Sequence, residues 1–319
     1  MCLYPKLINN KKYTSNKKNG GLIPAVSDNR TLFVPVGCGN CIECRKQYAR
    51  AWQVRLSEEI ELYKPKHKHM VTLTFDEYSL NMLTNKVLKS GLYHKTEENE
   101  IAKIAVRRFL ERWRKKYKKS LRHWLVTELG HNSTERIHLH GIIFTDKPSM
   151  IKKFWKYGFV YLGEYVNIKT INYIVKYITK IDKEHKGYKP KILTSPGIGS
   201  NYINKPNSKL NKYNNEETKE YYTTKQGIKL NLPIYYRNKL YSDEEREKLW
   251  INRLNKNERW IMGEKIESNT KEEEELRKYY QIKNKKWGYG DNTEEWSIKM
   301  YRKMRKRLNK ISRQSIERN

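Results

Sequence analysis

The residues best suited to chemistry sit in the middle of the chain. His138 and His140 alternate within an apolar run, RIHLHGIIF, from Arg136 to Phe144. In a strand, residues two apart share a face. The two imidazoles should therefore project together, while Ile137, Leu139 and Ile143 point to a helix-covered core. Neighbouring imidazoles are suited to ligating one divalent metal, and Gly141 directly after them permits close backbone approach. A carboxylate is the expected third ligand. Glu128 ends the preceding strand, and a hairpin would carry it toward His138; Glu135 and Asp76 rank behind it. Two His and one carboxylate suit Mn²⁺ or another first-row metal, and Mg²⁺ where phosphate oxygens complete the shell. The competing reading is a pair of half-buried structural histidines. A second pair, His67 and His69, has the same spacing but puts Lys68 where a core residue belongs, so it fits a sheet poorly.

A second set lies further along, in NYIVKYITK from Asn172 to Lys180. With 24 Tyr in 319 residues, a four-residue spacing carries no information by itself, and Tyr157/Tyr161 and Tyr161/Tyr165 share it. The helical wheel is more telling. At about 100° per residue, Tyr173, Lys176, Tyr177 and Lys180 fall in one sector, opposite Ile168, Ile171, Val175 and Ile178. The expectation is an apolar face packed inward and a Tyr/Lys face turned outward. Free tyrosine has a pKa near 10 and is a weak nucleophile at neutral pH. A metal that withdraws charge from a phosphate offsets this, and a neighbouring Lys favours phenolate. Together these residues make a phosphoryl-transfer set. The plainer reading is amphipathic tyrosines at a helix border.

Cys38, Cys41 and Cys44 form CxxCxxC, and Cys2 is the only other cysteine. In a cytosolic protein this spacing argues for metal over disulfide. Four thiolates suit a structural Zn²⁺ that pins the N-terminus to the first helix; part of an iron–sulfur run and unligated thiols are the alternatives.

The elements that must position these residues can also be read. Trp52, Leu56, Ile60 and Tyr63 mark a helix that Pro65 ends. A strand is expected over His69–Phe75, a helix over Glu100–Lys118, strands over Leu121–Leu129 and Arg136–Phe144, with a turn at Gly130–Glu135 between the last two. A short helix over Met150–Tyr157, a strand over Phe159–Val166 and a helix from Ile168 to about Ile181, capped by Asn167, follow. The order β-α-β-β-α-β predicts an α+β fold with a ferredoxin-like (RRM-like) antiparallel sheet, helices on one face and the second face free for a ligand. The expected division is residues 1–64 as a Cys-containing segment and helix, 65–200 as the catalytic domain, and 201–319 as a basic, partly helical extension.

The charge balance, 67 Lys+Arg against 35 Asp+Glu for a net +32, calls for an anionic partner, nucleic acid above all. The 24 Tyr and 8 Trp suit stacking on unpaired bases. No apolar run approaches a bilayer span and the N-terminus lacks a secretory core, so membrane partners are not expected and a cytosolic location is.

The strand MVTLTF, the strand HLH and the helix YIVKY, in that order, resemble the three motifs of the HUH rolling-circle replication initiators. Within that family the chain is most similar to initiators of microviruses of the gokushovirus-like branch, which CGNCIEC followed by Arg45, SPGIGSNY (Ser195–Tyr202) and LPIYYRNKL (Leu232–Leu240) also resemble. The resemblance covers about Met1 to Tyr241. It implies that a tyrosine attacks a phosphodiester of the origin strand and becomes linked to its 5′ phosphate, that the freed 3′ hydroxyl primes a host polymerase, and that a second tyrosine allows cutting and rejoining. Tyr173 and Tyr177 match the two-tyrosine motif, His138 and His140 the metal histidines. Glu128 matches the acidic ligand, although Leu129 stands where an aromatic is common. No GxxxxGK[ST] occurs, so a host helicase must open the duplex. The implied setting is the host bacterial cytoplasm. Plasmid initiators, relaxases and transposases share this chemistry; a non-catalytic single-strand binder on a similar sheet is the reading from another class.

Overall fold

The computed structural model of the protein describes residues 1–89, 97–130, 136–182 and 188–290. Contacts divide the chain into two compact units. One comprises Met1–Gln47, Pro206–Tyr221 and the chain from Ile234; the other comprises Tyr48–Lys205 and Tyr222–Pro233.

The first unit opens with β1 (Lys6–Asn9), which pairs antiparallel with β2 (Phe33–Val36), Lys6 opposite Val36. The helix α1 (Ile42–Ile60) begins here and continues into the second unit.

The second unit follows with β3 (Lys68–Leu73), α2 (Glu77–Lys89), α3 (Glu97–Tyr117), β4 (Arg122–Leu129), β5 (Ile137–Phe144), α4 (Ser149–Phe154), β6 (Val160–Gly163), α5 (Ile168–Thr179) and β7 (Ile192–Thr194). Five strands form one sheet in the order β6-β3-β5-β4-β7, with every neighbouring pair antiparallel. The crossover from β3 through α3 to β4 leaves a gap that β5 fills, which is the split βαβ order expected from the element pattern.

The prediction of helices on one face alone is corrected. Val71, Leu73, Leu125, Leu139 and Ile143 pack under α2, α3 and α4, with Phe109 and Trp113 among the buried residues. The opposite face carries Trp124, Val126, Ile142 and Phe144, and these are covered by α1, through Trp52, Leu56 and Ile60, and by α5, through Ile171, Ile174, Val175 and Ile178. Both faces are apolar over most of their length, so both need covering. What remains polar on the second face is the end of the β4–β5 pair that holds Glu128 and His138.

The SPGIGSNY stretch serves this unit as a clamp. Arg122 forms a bidentate pair with the fully buried Glu59 at 2.7 and 2.9 Å, and the Gly199 amide donates to the same carboxylate at 2.7 Å. Arg122 also donates to the carbonyls of Pro196 and Gly197, at 2.6 and 2.9 Å. Gly197 and Gly199 both have positive φ, 68° and 73°, which glycine adopts without strain. The hairpin β8 (Tyr221–Thr223) and β9 (Lys229–Asn231) follows, and Tyr222 donates to Glu58 at 2.6 Å.

The chain from Ile234 returns to the first unit as α6 (Ile234–Leu240), α7 (Asp243–Asn255), β10 (Glu258–Ile261), β11 (Glu264–Glu267) and α8 (Lys271–Lys286). Within the stretch expected to be basic and partly helical, the hairpin β10–β11 interrupts the helices. Met262 and Gly263 form its two-residue turn, both at positive φ, 52° and 99°. Residues 291–319 lie outside the described residues. This unit's core gathers Cys2, Leu3, Tyr4, Cys41, Ile42 and Ile261. The buried Arg277 on α8 donates to the Cys2 carbonyl at 2.8 Å and pairs with Glu273 at 2.7 Å. Among the described residues, no helix is long and apolar enough to cross a membrane.

Candidate active site

Antiparallel register builds the centre of the site. Glu128 on β4 lies directly opposite His138 on β5, and His140 lies opposite Val126 on one side and Thr72 of β3 on the other. Directly paired residues share a face, so Glu128, His138, His140 and Thr72 all look away from the α2/α3 core. Gly141 permits this close pairing: a Cβ there would stand 2.0 Å from the Trp124 carbonyl oxygen and 2.8 Å from the Leu125 Cα.

The His138 and His140 Nε2 atoms each lie 3.0 Å from one oxygen of Glu128, Oε2. Lys180 bonds the other oxygen, Oε1. Burial alone pushes the Glu128 carboxyl up, but the hydrogen bonds to His138, His140 and Lys180 together outweigh it and hold the group well below the usual carboxylate range. The outward-facing nitrogens are also committed. His138 Nδ1 contacts the Arg136 carbonyl at 3.2 Å, and His140 Nδ1 contacts the Thr72 hydroxyl at 3.1 Å. A carbonyl only accepts, so His138 must carry its proton on Nδ1. With Nδ1 so engaged, Nε2 donates to Glu128 only in the doubly protonated ring; the neutral ring aims a lone pair at the carboxylate oxygen, which is also an acceptor. That confrontation is unfavourable without a positive charge between the two. The donor set thus fits a cation: two imidazole nitrogens and a carboxylate oxygen converge, and the second nitrogens are held by partners that fix the rings.

α5 brings the tyrosines to this centre. Asn167 caps it, accepting from the Thr170 amide at 3.1 Å. The Tyr177 ring stacks on His140, with centroids 4.5 Å apart and planes 2° from parallel. Its hydroxyl donates to that of Tyr173 at 2.6 Å. Lys176 Nζ sits 4.2 Å from the Tyr173 ring centre, and Lys180 Nζ 5.8 Å from that of Tyr177. The expectation that both tyrosines face outward is corrected for one of them. Tyr173 is 39% exposed, whereas Tyr177 is 5% exposed. The sector holding Tyr177 borders the buried side of α5, which lies on the sheet, and the His140 end of that sheet receives its ring. Burial pushes the Tyr177 phenol well above its ordinary value, helped by the Tyr173 hydrogen bond and the Glu128 charge. Tyr173 is the more exposed of the two and accepts the hydrogen bond from Tyr177.

Other residues singled out from the sequence fall elsewhere. Asp76 caps α2, accepting from the Ser79 amide at 2.7 Å. Glu135 lies outside the described residues. His69 is buried with its Nε2 3.0 Å from the Thr145 carbonyl, and His67 sits in a turn before β3, so that pair never converges. Tyr157 is buried, with its hydroxyl 3.3 Å from Arg112, and Tyr165 is exposed. Tyr161 is exposed on β6 directly opposite Thr72, and therefore on the face that carries His140. Thr72 was not singled out by the sequence reading. Its signal was available in MVTLTF, where the period of two puts Thr72 opposite in sense to Val71 and Leu73. In the first unit, Cys2, Cys38, Cys41 and Cys44 form the other cluster of metal-ligating side chains among the described residues, with their sulfurs within 4.8 Å of one another.

No curated protein and no solved structure matches the chain. Residues 68–182, from β3 through α5 and so including all of Glu128, His138, His140, Tyr173 and Tyr177, match the family described as replication-associated protein ORF2, a family of rolling-circle replication initiators.

Proposed function

We propose that the second unit is an HUH-type endonuclease that nicks single-stranded DNA at a replication origin through a tyrosine and later rejoins it, starting rolling-circle replication of a small circular phage genome of the gokushovirus type. One observation carries this reading. The Glu128 oxygen and the His138 and His140 nitrogens converge within 3.0 Å, and the Tyr177–Tyr173 hydroxyl pair is held against His140. The match of residues 68–182 to replication-associated proteins supports the same process.

Glu128, His138 and His140 would hold Mn²⁺ or Mg²⁺, which when bound withdraws charge from the non-bridging oxygens of a phosphodiester. The protein's own residues do the rest. The Tyr173 oxygen attacks phosphorus, its proton leaves, and a new tyrosyl–phosphate bond forms as the bond to the 3′ oxygen breaks. The 3′ oxygen departs and takes up a proton. One ester replaces another, so no nucleotide is consumed and the reverse step reseals the strand. Lys176, over the Tyr173 ring, offers positive charge to the phosphate. Lys180 neutralises the Glu128 oxygen turned away from the histidines. Tyr177 donates to Tyr173 during the first attack and serves as the nucleophile of the second. The exposed Tyr161, on the same face, offers a ring on which an unpaired base can stack. The net charge of +32 supplies attraction for the DNA backbone. A host helicase would open the duplex and a host polymerase would extend the freed 3′ end, in the cytoplasm of a bacterial host.

The test is direct. The full chain is mixed with labelled single-stranded circular viral DNA and Mn²⁺ and run on a denaturing gel. A covalent protein–DNA adduct is expected, lost in EDTA and restored by Mn²⁺. Tight binding without any adduct, unchanged by EDTA, would instead mark a non-catalytic single-strand binder.

A further inference from the structure

The first unit carries a second cluster that the nicking chemistry does not use. We propose that Cys2, Cys38, Cys41 and Cys44 bind one structural Zn²⁺ in tetrahedral thiolate coordination, locking the N-terminal segment to the start of α1 and to α8.

The four sulfurs lie within 4.8 Å of one another, and all four cysteines are free of disulfides. Cys2 and Cys41 Sγ are 3.8 Å apart. A disulfide would hold them at about 2.05 Å. A tetrahedron with metal–sulfur bonds of about 2.3 Å has edges of about 3.8 Å. The observed separation therefore has the size of one edge of a single-ion site. A cluster of several irons with bridging sulfides needs a wider cage, so the geometry favours one ion.

The backbone is arranged for charged sulfur. The amides of Tyr4 and Cys38 point at Cys2 Sγ, at 3.3 and 3.2 Å, and those of Asn40 and Cys41 point at Cys38 Sγ, at 3.4 and 3.3 Å. Such amide-to-sulfur bonds suit a metal-bound sulfur, which accepts but does not donate. Cys41 and Cys44 stand at the N-terminus of α1, whose dipole also favours negative charge. The loop is shaped to wrap an ion. Gly39 turns at φ 75°, and a Cβ at Gly37 would stand 2.9 Å from Cys44 Sγ. The strand pair β1–β2 brings the flanking segments together, and the Cys38 amide reaches Cys2 Sγ. Three groups on α8 then grip the same region: Arg277 donates to the Cys2 carbonyl at 2.8 Å, Gln281 to the Leu3 carbonyl at 2.9 Å, and Asn284 accepts from the Ile42 amide at 2.9 Å.

The proposal does not depend on the nicking site, and its test keeps the two apart. The reduced full chain is analysed for metal alongside Cys38→Ser/Cys41→Ser and His138→Ala/His140→Ala variants. About one zinc per chain is expected in the wild type and in the histidine variant, and none in the cysteine variant. Because the cysteine variant risks misfolding, the wild-type chain is also stripped and titrated with Co²⁺. Intense sulfur-to-cobalt charge-transfer absorption with the visible bands of a tetrahedral site is the expected result. Its absence would overturn the proposal, as would zinc content unchanged in the cysteine variant, or iron with acid-labile sulfide.

Discussion

Two clusters of metal-ligating side chains occupy the two units, and they are built in opposite ways. In the first unit four sulfurs gather within 4.8 Å of one another, fed by backbone amides and packed among Leu3, Ile42 and Ile261. In the second unit three donors approach from one side only, at the polar end of a sheet, with a tyrosine stacked beside them. A donor set that is complete leaves no place for a substrate and can only hold structure. One that stops at three leaves positions for phosphate oxygens. The same contrast shows in the backbone. The cysteine set is threaded by a turn and a helix start, whereas Glu128, His138 and His140 hang from strands whose register fixes them. Chemistry is therefore expected to respond to changes in the open set.

The largest effect expected is from Tyr173→Phe/Tyr177→Phe, which should lower the covalent adduct to background on a denaturing gel. Adduct mapped by mass spectrometry to Tyr157, Tyr161 or Tyr165 would break the assignment of the open site. Next, His138→Ala or His140→Ala should slow nicking by about a thousandfold or more, the equivalent of several kcal/mol of lost charge stabilisation. DNA affinity, which scattered Lys and Arg supply, should change only a few-fold. Nicking at the normal rate in either variant would place the reaction elsewhere.

A finer effect separates the two tyrosines. Tyr177 is buried and its phenol is pushed up, while Tyr173 is exposed and accepts its hydrogen bond. Tyr173→Phe should therefore remove most of the first cut, roughly tenfold or more if general positioning governs the step. Tyr177→Phe should spare that cut and impair rejoining. A first adduct on Tyr177 would reverse the order. The smallest effect sharpens the comparison without touching a donor. Thr72→Val deletes the partner of His140 Nδ1 and should raise the Mn²⁺ concentration needed for half-maximal nicking by ~10–100-fold. The rate at saturating Mn²⁺ should change little; a large loss there would mean that Thr72 does more than orient the ring.

Much of the second unit was legible because its periodicities are clean. HLH within RIHLHGIIF fixed both the strand and the face of the histidines, and Asn167 with the Ile168–Ile178 stripe fixed α5. The coverage of the second face was harder to see. Trp124, Val126, Ile142 and Phe144 make β4 and β5 apolar on both sides, and such runs do not reveal which helix covers them. α2 is hard to read from sequence although Asp76 caps it and Leu83 and Val87 recur at helical spacing, because the flanking residues are mixed in polarity. β7 is three residues at a sheet edge and carries too little pattern to stand out. The hairpin β10–β11 is dominated by charged residues, and its only signal is the Met262–Gly263 turn. The burial of Tyr177 could not come from a wheel, which places a residue by angle and knows nothing of the surface beneath the helix.

The bond from Arg277 to the Cys2 carbonyl joins residues 275 positions apart. During synthesis the N-terminal segment must therefore wait for α8, at 5–20 residues per second roughly 15–55 s. In that interval the ribosome completes the whole five-stranded sheet. The second unit can collapse as it is made, whereas the residues around Cys2 meet their α8 partners only after it. For that whole time the Cys2 segment lacks the bonds that α8 supplies, so its thiol meets oxidants before the fold buries it.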